Sequence, residues 1–524
     1  VVEVLVLLVL VATIVATPLT FCPLKMLDGY ILPQIAVGAL GTSLATVLFL
    51  NLGIFPINLV SVMVCLYFFY LLLTAFWSTV PHNSLRELPL VFSYIAIFIV
   101  SLSLCVMGGM SSLVALSLAV FFVSMCTSLY GLGQRLKFDP LFKLRLKPVE
   151  EYKNRPLGEV PSWFRNKERV DTRPISTIGN TTFFGGYLVA TLPFLVLLSV
   201  EVSSWFWLSV FVAVFTIVVT KSRASVLGVL LGMVFFLLLA SYQGWVFDFL
   251  FCFFGPLDFT SVLLLMVLVT LAGGWVLVKA GQSSLLKRLH EKSPLTMRLS
   301  VEGTDQQDFL AHLRYRFRYW RAAFELIGQK PLQGFGLRTY RKEVYQAQAK
   351  MHEKDGRFLG LGYQTPQPRE VHNDFIENFV ESGVVGGVAF LLIMGVIIYH
   401  AMSFFMTTAN LHQQILVAAF TSSVVGLLVN AFFFFPFRLA SSALPFWMAL
   451  AAVEFLAGKG EVMVFESNIA FSFLLSGALA AMLWEGCFKP NAGNWFFRKY
   501  SFADDQEEAE KFLIRAIEYC PHET

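Results

Sequence analysis

Charge is what this sequence has least of. Only 14% of its 524 residues are Asp, Glu, Lys or Arg, against 56% hydrophobic residues and a mean hydropathy of +0.68. A soluble domain carries about a quarter charged residues, so that class is excluded. Short alternating segments are also missing, which rules out a β-barrel in practice. Seven cysteines (Cys22, Cys65, Cys105, Cys126, Cys252, Cys487, Cys520) are scattered and form neither a disulfide framework nor a zinc pattern. There is no Asp-x-Asp on a loop beside a helix, no His-x-x-x-His and no Walker or dinucleotide fingerprint. No tandem repeat is visible in the apolar part. The net charge of +4 is modest, and no nucleic-acid partner is expected. The start at Val1 has no basic n-region, so it reads as a transmembrane helix rather than a cleaved signal.

What is present is a long series of apolar runs near the ~20 residues that cross a bilayer. They predict an all-α polytopic transmembrane bundle of about 12–13 helices. The runs lie near 1–18, 30–50, 58–77, 88–107, 111–130, 183–200, 205–220, 224–240, 259–279, 382–400, 414–435, 439–457 and 466–485. Residues 245–256, interrupted by Asp248 and Pro256, read as a short interfacial or re-entrant segment or as a further crossing. The chain thus divides into N-terminal helices (1–130), a basic polar loop (131–182), central helices (183–279), a large polar loop (280–378), C-terminal helices (379–485) and a soluble tail (486–524). Four helices separate the two loops, so both lie on one side provided 245–256 does not cross. The first loop is rich in Lys and Arg, and by the positive-inside rule it belongs in the cytoplasm.

The chain is organised around Val371–Gly387. His372, Asn373, Glu377 and Glu381 gather there where water meets lipid, a costly placement unless it is used. If Asp374 caps a helix, Glu377 completes a capping box. Gly383, Gly386 and Gly387 would let another backbone approach. Arg223 stands in a tight Lys-Ser-Arg-Ala-Ser turn between two apolar runs. From Arg314 a basic, aromatic stretch puts Arg314, Arg318 and Arg321 on one helical face, with Arg316 one turn before Trp320. Each feature also has a structural explanation, as a cap, a snorkelling flank or an interfacial helix.

The order His-Asn-x-aromatic-aliphatic, then Glu, then Glu-x-Gly-x-x-Gly resembles the O-antigen ligase and polymerase superfamily of bacterial membrane glycosyltransferases. Arg316, Trp320, Pro331, Leu332, Gly334 and Gly336 fit its second pattern, and Arg223 fits its membrane-edge arginine. Weaker matches are Phe76-Trp77-Ser78 with Pro81 and Ser84, Leu129-Tyr130-Gly131 with Gln134, Gly179-Asn180 with Gly185, Tyr187 and Leu188, and Asn430 with Phe435-Pro436 and Phe446-Trp447. The likeness spans about 70 to 455. It departs at the long basic loop 131–182 and at Thr181-Thr182, where the family usually has Pro-Asn.

The resemblance implies a metal-independent enzyme without cofactors in the bacterial inner membrane, with both polar loops and the active site on the periplasmic face. Its donor would be a glycan on undecaprenyl pyrophosphate. Its acceptor would be a hydroxyl of lipid A-core, as in lipopolysaccharide biosynthesis, of another lipid-linked glycan or of a protein. The implied base is His372, and the implied phosphate ligands are Arg223 and Arg316. Asn373, Glu377, Glu381 and Arg338 support the site or the acceptor. A polytopic transporter is the rival class, but it should carry ionisable residues near the bilayer midplane. In the tail, Asp504–Pro521 is similar to the second helix of a tetratricopeptide repeat, whose apolar face needs cover from the membrane domain or a protein partner.

Overall fold

The computed structural model describes residues 2–21, 30–52, 54–136, 138–139, 173–242, 305–355, 370–408, 410–459, 462–464, 469–501, 503 and 505–520. The chain is an all-α polytopic bundle. Among the described residues, seven helices are long and apolar enough to cross a membrane, and four shorter apolar helices accompany them. The N-terminal half supplies α1 (Val2–Leu19), α2 (Ile31–Leu50), α3 (Leu59–Thr74) and α4 (Pro81–Arg135). The central group is α5 (Thr181–Glu201), α6 (Trp207–Thr220) and α7 (Arg223–Tyr242). After α8 (Asp305–Gln329) and α9 (Tyr340–Asp355) come α10 (Asp374–Thr407), α11 (Leu411–Phe433) and α12 (Ala440–Leu456). The chain ends in α13 (Ile469–Leu483), a π turn over Trp484–Phe488, α14 (Lys489–Ser501) and α15 (Gln506–Tyr519).

Asparagine starts several helices. The side chains of Asn58, Asn180, Asn373 and Asn410 accept from backbone N–H groups in the first turns of α3, α5, α10 and α11. Each satisfies a donor that the helix leaves orphaned, worth about 1 kcal/mol. The cap of α10 is therefore Asn373 and not Asp374, which lies inside the helix and accepts from Phe437 N instead. Helix α4 is one 55-residue run broken at Gly109, whose φ of 63° turns the chain back. Close packing of α7 on α11 depends on small residues: a Cβ on Gly228 would lie 2.4 Å from the Gly426 carbonyl oxygen, and one on Gly232 2.6 Å from that of Ser422.

The sequence reading is refined at three places. The polar stretch 280–378 contains α8, which carries the basic run from Arg314 read on a helix, and also α9, and α10 begins at Asp374, ahead of the apolar run read from 382. Polar residues of that first turn are buried by neighbours, which hydropathy alone does not reveal. A two-stranded antiparallel ribbon, β1 (Ile54–Pro56) on β2 (Val462–Val464), ties the far ends of α3 and α12. Residues 245–256 and the helix expected at 259–279 lie outside the described residues, as does most of loop 131–182.

The described flanks of both polar loops converge on one end of the bundle. Thr177 donates to Pro18 O (2.7 Å) at the end of α1, and Gln34 of α2 donates to Thr177 O (3.2 Å). The Phe183 ring meets those of Phe434 (5.2 Å) and Phe435 (5.6 Å), which in turn meet His372. The tail returns to this end, where Asn491 donates to Leu32 O (3.4 Å). There α14 covers the apolar face of α15: Tyr519 stacks on Phe496 (5.6 Å), and Lys499 Nζ lies 4.2 Å from the Trp495 ring and 4.9 Å from that of Phe512.

Candidate active site

The gathering point is a break in α10. Gly383 has φ 67°, so the helix ladder is interrupted there and the groups on either side are released. The turn Pro331–Gly336 docks into the gap. Phe335 N donates to Val380 O (3.0 Å) and Gly336 N to Glu381 O (2.8 Å), while Val384 N donates to Pro331 O (2.7 Å). A second segment clamps that turn from outside. Trp77 Nε1 donates to Gln333 O (3.0 Å), Thr79 N to Phe335 O (3.0 Å) and Ser84 Oγ to Leu337 O (2.8 Å). The weak Phe76-Trp77-Ser78 and Ser84 pattern and the Pro-Leu-x-Gly-x-Gly pattern are thus two halves of one clamp. Of the three glycines read as backbone contacts, Gly383 is one. Gly386 and Gly387 pack against the side chains of Ser382 and Phe379.

The clamp joins α8 to α10. Tyr319 of α8 stacks on His372, with ring centroids 6.1 Å apart and planes 20° apart. Phe435 closes on the imidazole at 5.3 Å and Phe434 at 6.2 Å. Arg316 sits one turn before Tyr319 on the same helix and is half-buried. Burial lowers its guanidinium below the ordinary arginine value, and the positive charge of Arg223, at the first turn of α7, lowers it further. Arg223 itself is exposed. Its turn is fixed from behind: Lys221 takes left-handed backbone, Ser222 Oγ and Ser225 Oγ share a hydrogen bond (2.8 Å), and Asn430 Nδ2 donates to Ser225 Oγ (3.0 Å). Arg316 of α8 thus feels the charge of Arg223 of α7, and Tyr319, one turn along α8 from Arg316, meets His372 just before α10. Asn373 Nδ2 and Trp320 Nε1 are buried donors that have no hydrogen-bond partner among the described residues.

Behind His372 lies a second layer. Arg438, on the short turn between α11 and α12, reaches Glu381 (2.7 Å), Glu377 (3.2 Å), Asp374 (3.8 Å), Glu87 (3.8 Å) and Glu370 (3.9 Å). Arg338 reaches Glu370 (3.1 Å) and Glu87 (3.7 Å). Burial opposes the charge on Arg438, but Glu377, Glu381 and Glu370 outweigh it and hold the guanidinium well above its ordinary value. Burial likewise pushes the Glu370 carboxyl up, and Arg338 and Arg438 more than reverse it, leaving Glu370 below the ordinary carboxylate range. A cavity of about 90 Å³ borders this layer on its inner side, between Glu381, Arg438, Tyr94 and Trp447. Glu377 and Glu381 thus pair with Arg438. Arg438, Glu87 and Glu370 were not singled out in the sequence. Their signal was available: an arginine between two apolar helices, at the same end as Arg223.

Non-glycine residues with left-handed backbone are uncommon and often mark functional sites. Among the described residues they are Ser176, Lys221, Arg338 and His372, and all four lie at this end. Also among the described residues, no group of three His, Cys, Asp or Glu side chains is arranged to hold a metal ion.

Residues 208–391 match the family model described as O-Antigen ligase. The match covers 184 of the 524 residues, and over that part the chain is similar to the O-antigen ligase family. The match runs from α6 into α10 and takes in Arg223, Arg316, Arg338, His372, Glu377 and Glu381, while Glu87 and Arg438 lie outside it. No curated protein matches the chain. Together with the long apolar helices, this similarity supports a multi-pass membrane protein related to the ligase- and polymerase-type glycosyltransferases.

Proposed function

We propose that the enzyme transfers a glycan from undecaprenyl pyrophosphate to an acceptor hydroxyl at the periplasmic face of the bacterial inner membrane. The observation that carries this reading is that α8 presents Arg316 within the influence of the Arg223 charge and, one turn further on, packs Tyr319 against His372. The two arginines suit a dianionic leaving group, because each planar fork can hold two phosphate oxygens.

In the proposed reaction the acceptor oxygen attacks the anomeric carbon of the donor. The carbon–oxygen bond to pyrophosphate breaks, and its electron pair leaves with the phosphate. His372 accepts the hydroxyl proton on a ring nitrogen. Arg223 and Arg316 offset the growing phosphate charge in place of a divalent ion. Asn373 Nδ2, a buried donor beside the base, would hold an acceptor oxygen. The acceptor belongs to a glycan, lipid A-core or a protein side chain, and the donor is a lipid-linked oligosaccharide or polysaccharide.

Arg223→Lys and Arg316→Lys test the reading, because an ammonium keeps the charge and loses the fork. Each should cut transfer about a hundredfold at unchanged protein level, on the scale of losing an electrostatic group in a transition state. Cells should accumulate lipid-linked glycan and lose surface polysaccharide. Full activity in both lysine variants would remove the arginines from the site.

A further inference from the structure

We propose that Arg438 is a positioning residue for His372: it locks segments 370–374 and 434–438 into the backbone geometry that presents the imidazole. This rests on the reading of His372 as the base that takes the acceptor's proton.

His372 sits where the two segments cross, and three hydrogen bonds fix the crossing. Asp374 N donates to Phe434 O (3.2 Å), Phe437 N donates to Asp374 Oδ2 (2.9 Å), and Val371 N donates to Glu377 Oε2 (3.0 Å). They hold the residues on both sides of His372, whose φ of 58° is costly for a non-glycine residue. They also press Phe434 and Phe435 against the imidazole.

Two of the three acceptors are buried carboxylates, Glu377 at 0% exposure and Asp374 at 7%. Burying a carboxylate is costly unless a cation offsets it. Arg438 is that cation for both: its Nε lies 3.2 Å from Glu377 Oε1 and 3.8 Å from Asp374 Oδ1, while the fork holds Glu381 at 2.7 Å. Arg338 pairs instead with Glu370 and Glu87. Losing Arg438 therefore strikes Asp374 and Glu377 first. Their mutual repulsion pushes the two carboxylates apart and loosens the bonds at Val371 N and Phe437 N. His372 is then free to relax away from Tyr319. Arg223 and Arg316 stand on α7 and α8, outside this carboxylate cluster, so phosphate binding should survive.

The test uses the full chain with Arg438→Gln, Arg438→Lys and Glu377→Met. Binding is read from the rise in thermal midpoint with undecaprenyl pyrophosphate, and transfer from consumption of lipid-linked glycan in cells lacking the wild-type protein. Arg438→Gln should lower transfer about a hundredfold, the scale set by a misplaced reacting group. The undecaprenyl pyrophosphate midpoint concentration should stay within about twofold. Arg438→Lys should recover part of the rate, since it restores the charge without the fork.

The pH profile adds a readout that simple loss of structure would not produce alongside intact binding. Around Arg438 stand Glu87 and Tyr94 of α4, Tyr67 of α3, Glu370, the α10 carboxylates and Arg338. With the guanidinium gone, protonation relieves the carboxylate repulsion. The activity of Arg438→Gln relative to wild type should therefore rise from about pH 8 to about pH 6. Should Arg438→Gln fail to fold, Arg438→Lys and Glu377→Met carry the test, and Glu377→Met should give the same split between transfer and binding. Wild-type transfer in Arg438→Gln, or parallel loss of binding and transfer in a folded variant, overturns the proposal. A wild-type chain that neither binds undecaprenyl pyrophosphate nor consumes donor overturns the underlying reading as well.

Discussion

Gly334 and Gly383 meet backbone to backbone. A Cβ on Gly334 would lie 2.4 Å from Glu381 O and 2.5 Å from Gly383 N, and one on Gly383 would lie 2.2 Å from Leu332 O. Both glycines have positive φ, 69° and 67°. This contact sets the distance between α8, which carries Arg316, and the first turn of α10, which follows His372.

Alanine at either position should therefore damage the clamp. The backbone strain alone costs about 1–3 kcal/mol, and the contact with a carbonyl leaves no flexible atom to yield. Gly383→Ala should lower the thermal midpoint of the purified protein and reduce transfer. The double variant should be less harmful than the sum of the two, because one contact is broken twice. Wild-type stability in Gly383→Ala would show that the clamp does not hold the helices.

Stability should fall in acid through Glu370. Its carboxyl is held below its ordinary value of 4.5 in the folded protein, with Arg338 and Arg438 outweighing the cost of burial. A depressed carboxylate contributes stability that is fully present above the ordinary value and is lost as pH falls through the folded one. Thermal midpoints between about pH 6 and about pH 3.5 should drop more steeply for wild type than for Glu370→Gln. Equal slopes would show that this ion pair carries none of the acid lability.

Both polar loops should face the periplasm. Their described flanks meet at one end of the bundle, where Phe183 touches Phe434 and Phe435. Single cysteines at Ser162 and Ser293, in a background with the native cysteines replaced, should both react with a membrane-impermeant reagent in intact cells. Labelling of one alone would break the shared-side argument. Labelling of both only after lysis would favour the cytoplasm, as the basic residues of loop 131–182 suggest.

The helical class was legible because apolar runs long enough to span a bilayer admit few other folds. The motifs around Arg223 and His372 stood out because they sit at the ends of such runs, and Arg316 because it lies in a basic, aromatic stretch of the second polar loop. The partners of Glu377 and Glu381 did not. Spacing places both on one face of α10, but which side chain meets that face depends on where α12 begins, and Arg438 lies 57 residues from Glu381. The helix start near Asp374 was legible from its capping pattern, but not that Asn373 is the cap and that the Arg438 cluster buries its polar first turn. The break at Gly383 was half visible. A glycine there promised close approach, but only the docked turn 331–336 shows what approaches.

The central claim is that His372 takes the acceptor's proton while Arg223 and Arg316 hold the donor. The most direct measurement is His372→Ala assayed for two quantities in the same preparation, glycan transfer and stabilisation by undecaprenyl pyrophosphate. The account predicts that transfer is lost by about a hundredfold or more, that stabilisation persists, and that lipid-linked donor accumulates in cells. A His372→Ala protein that transfers glycan at near wild-type rate, or one that loses undecaprenyl pyrophosphate binding together with transfer, would contradict it.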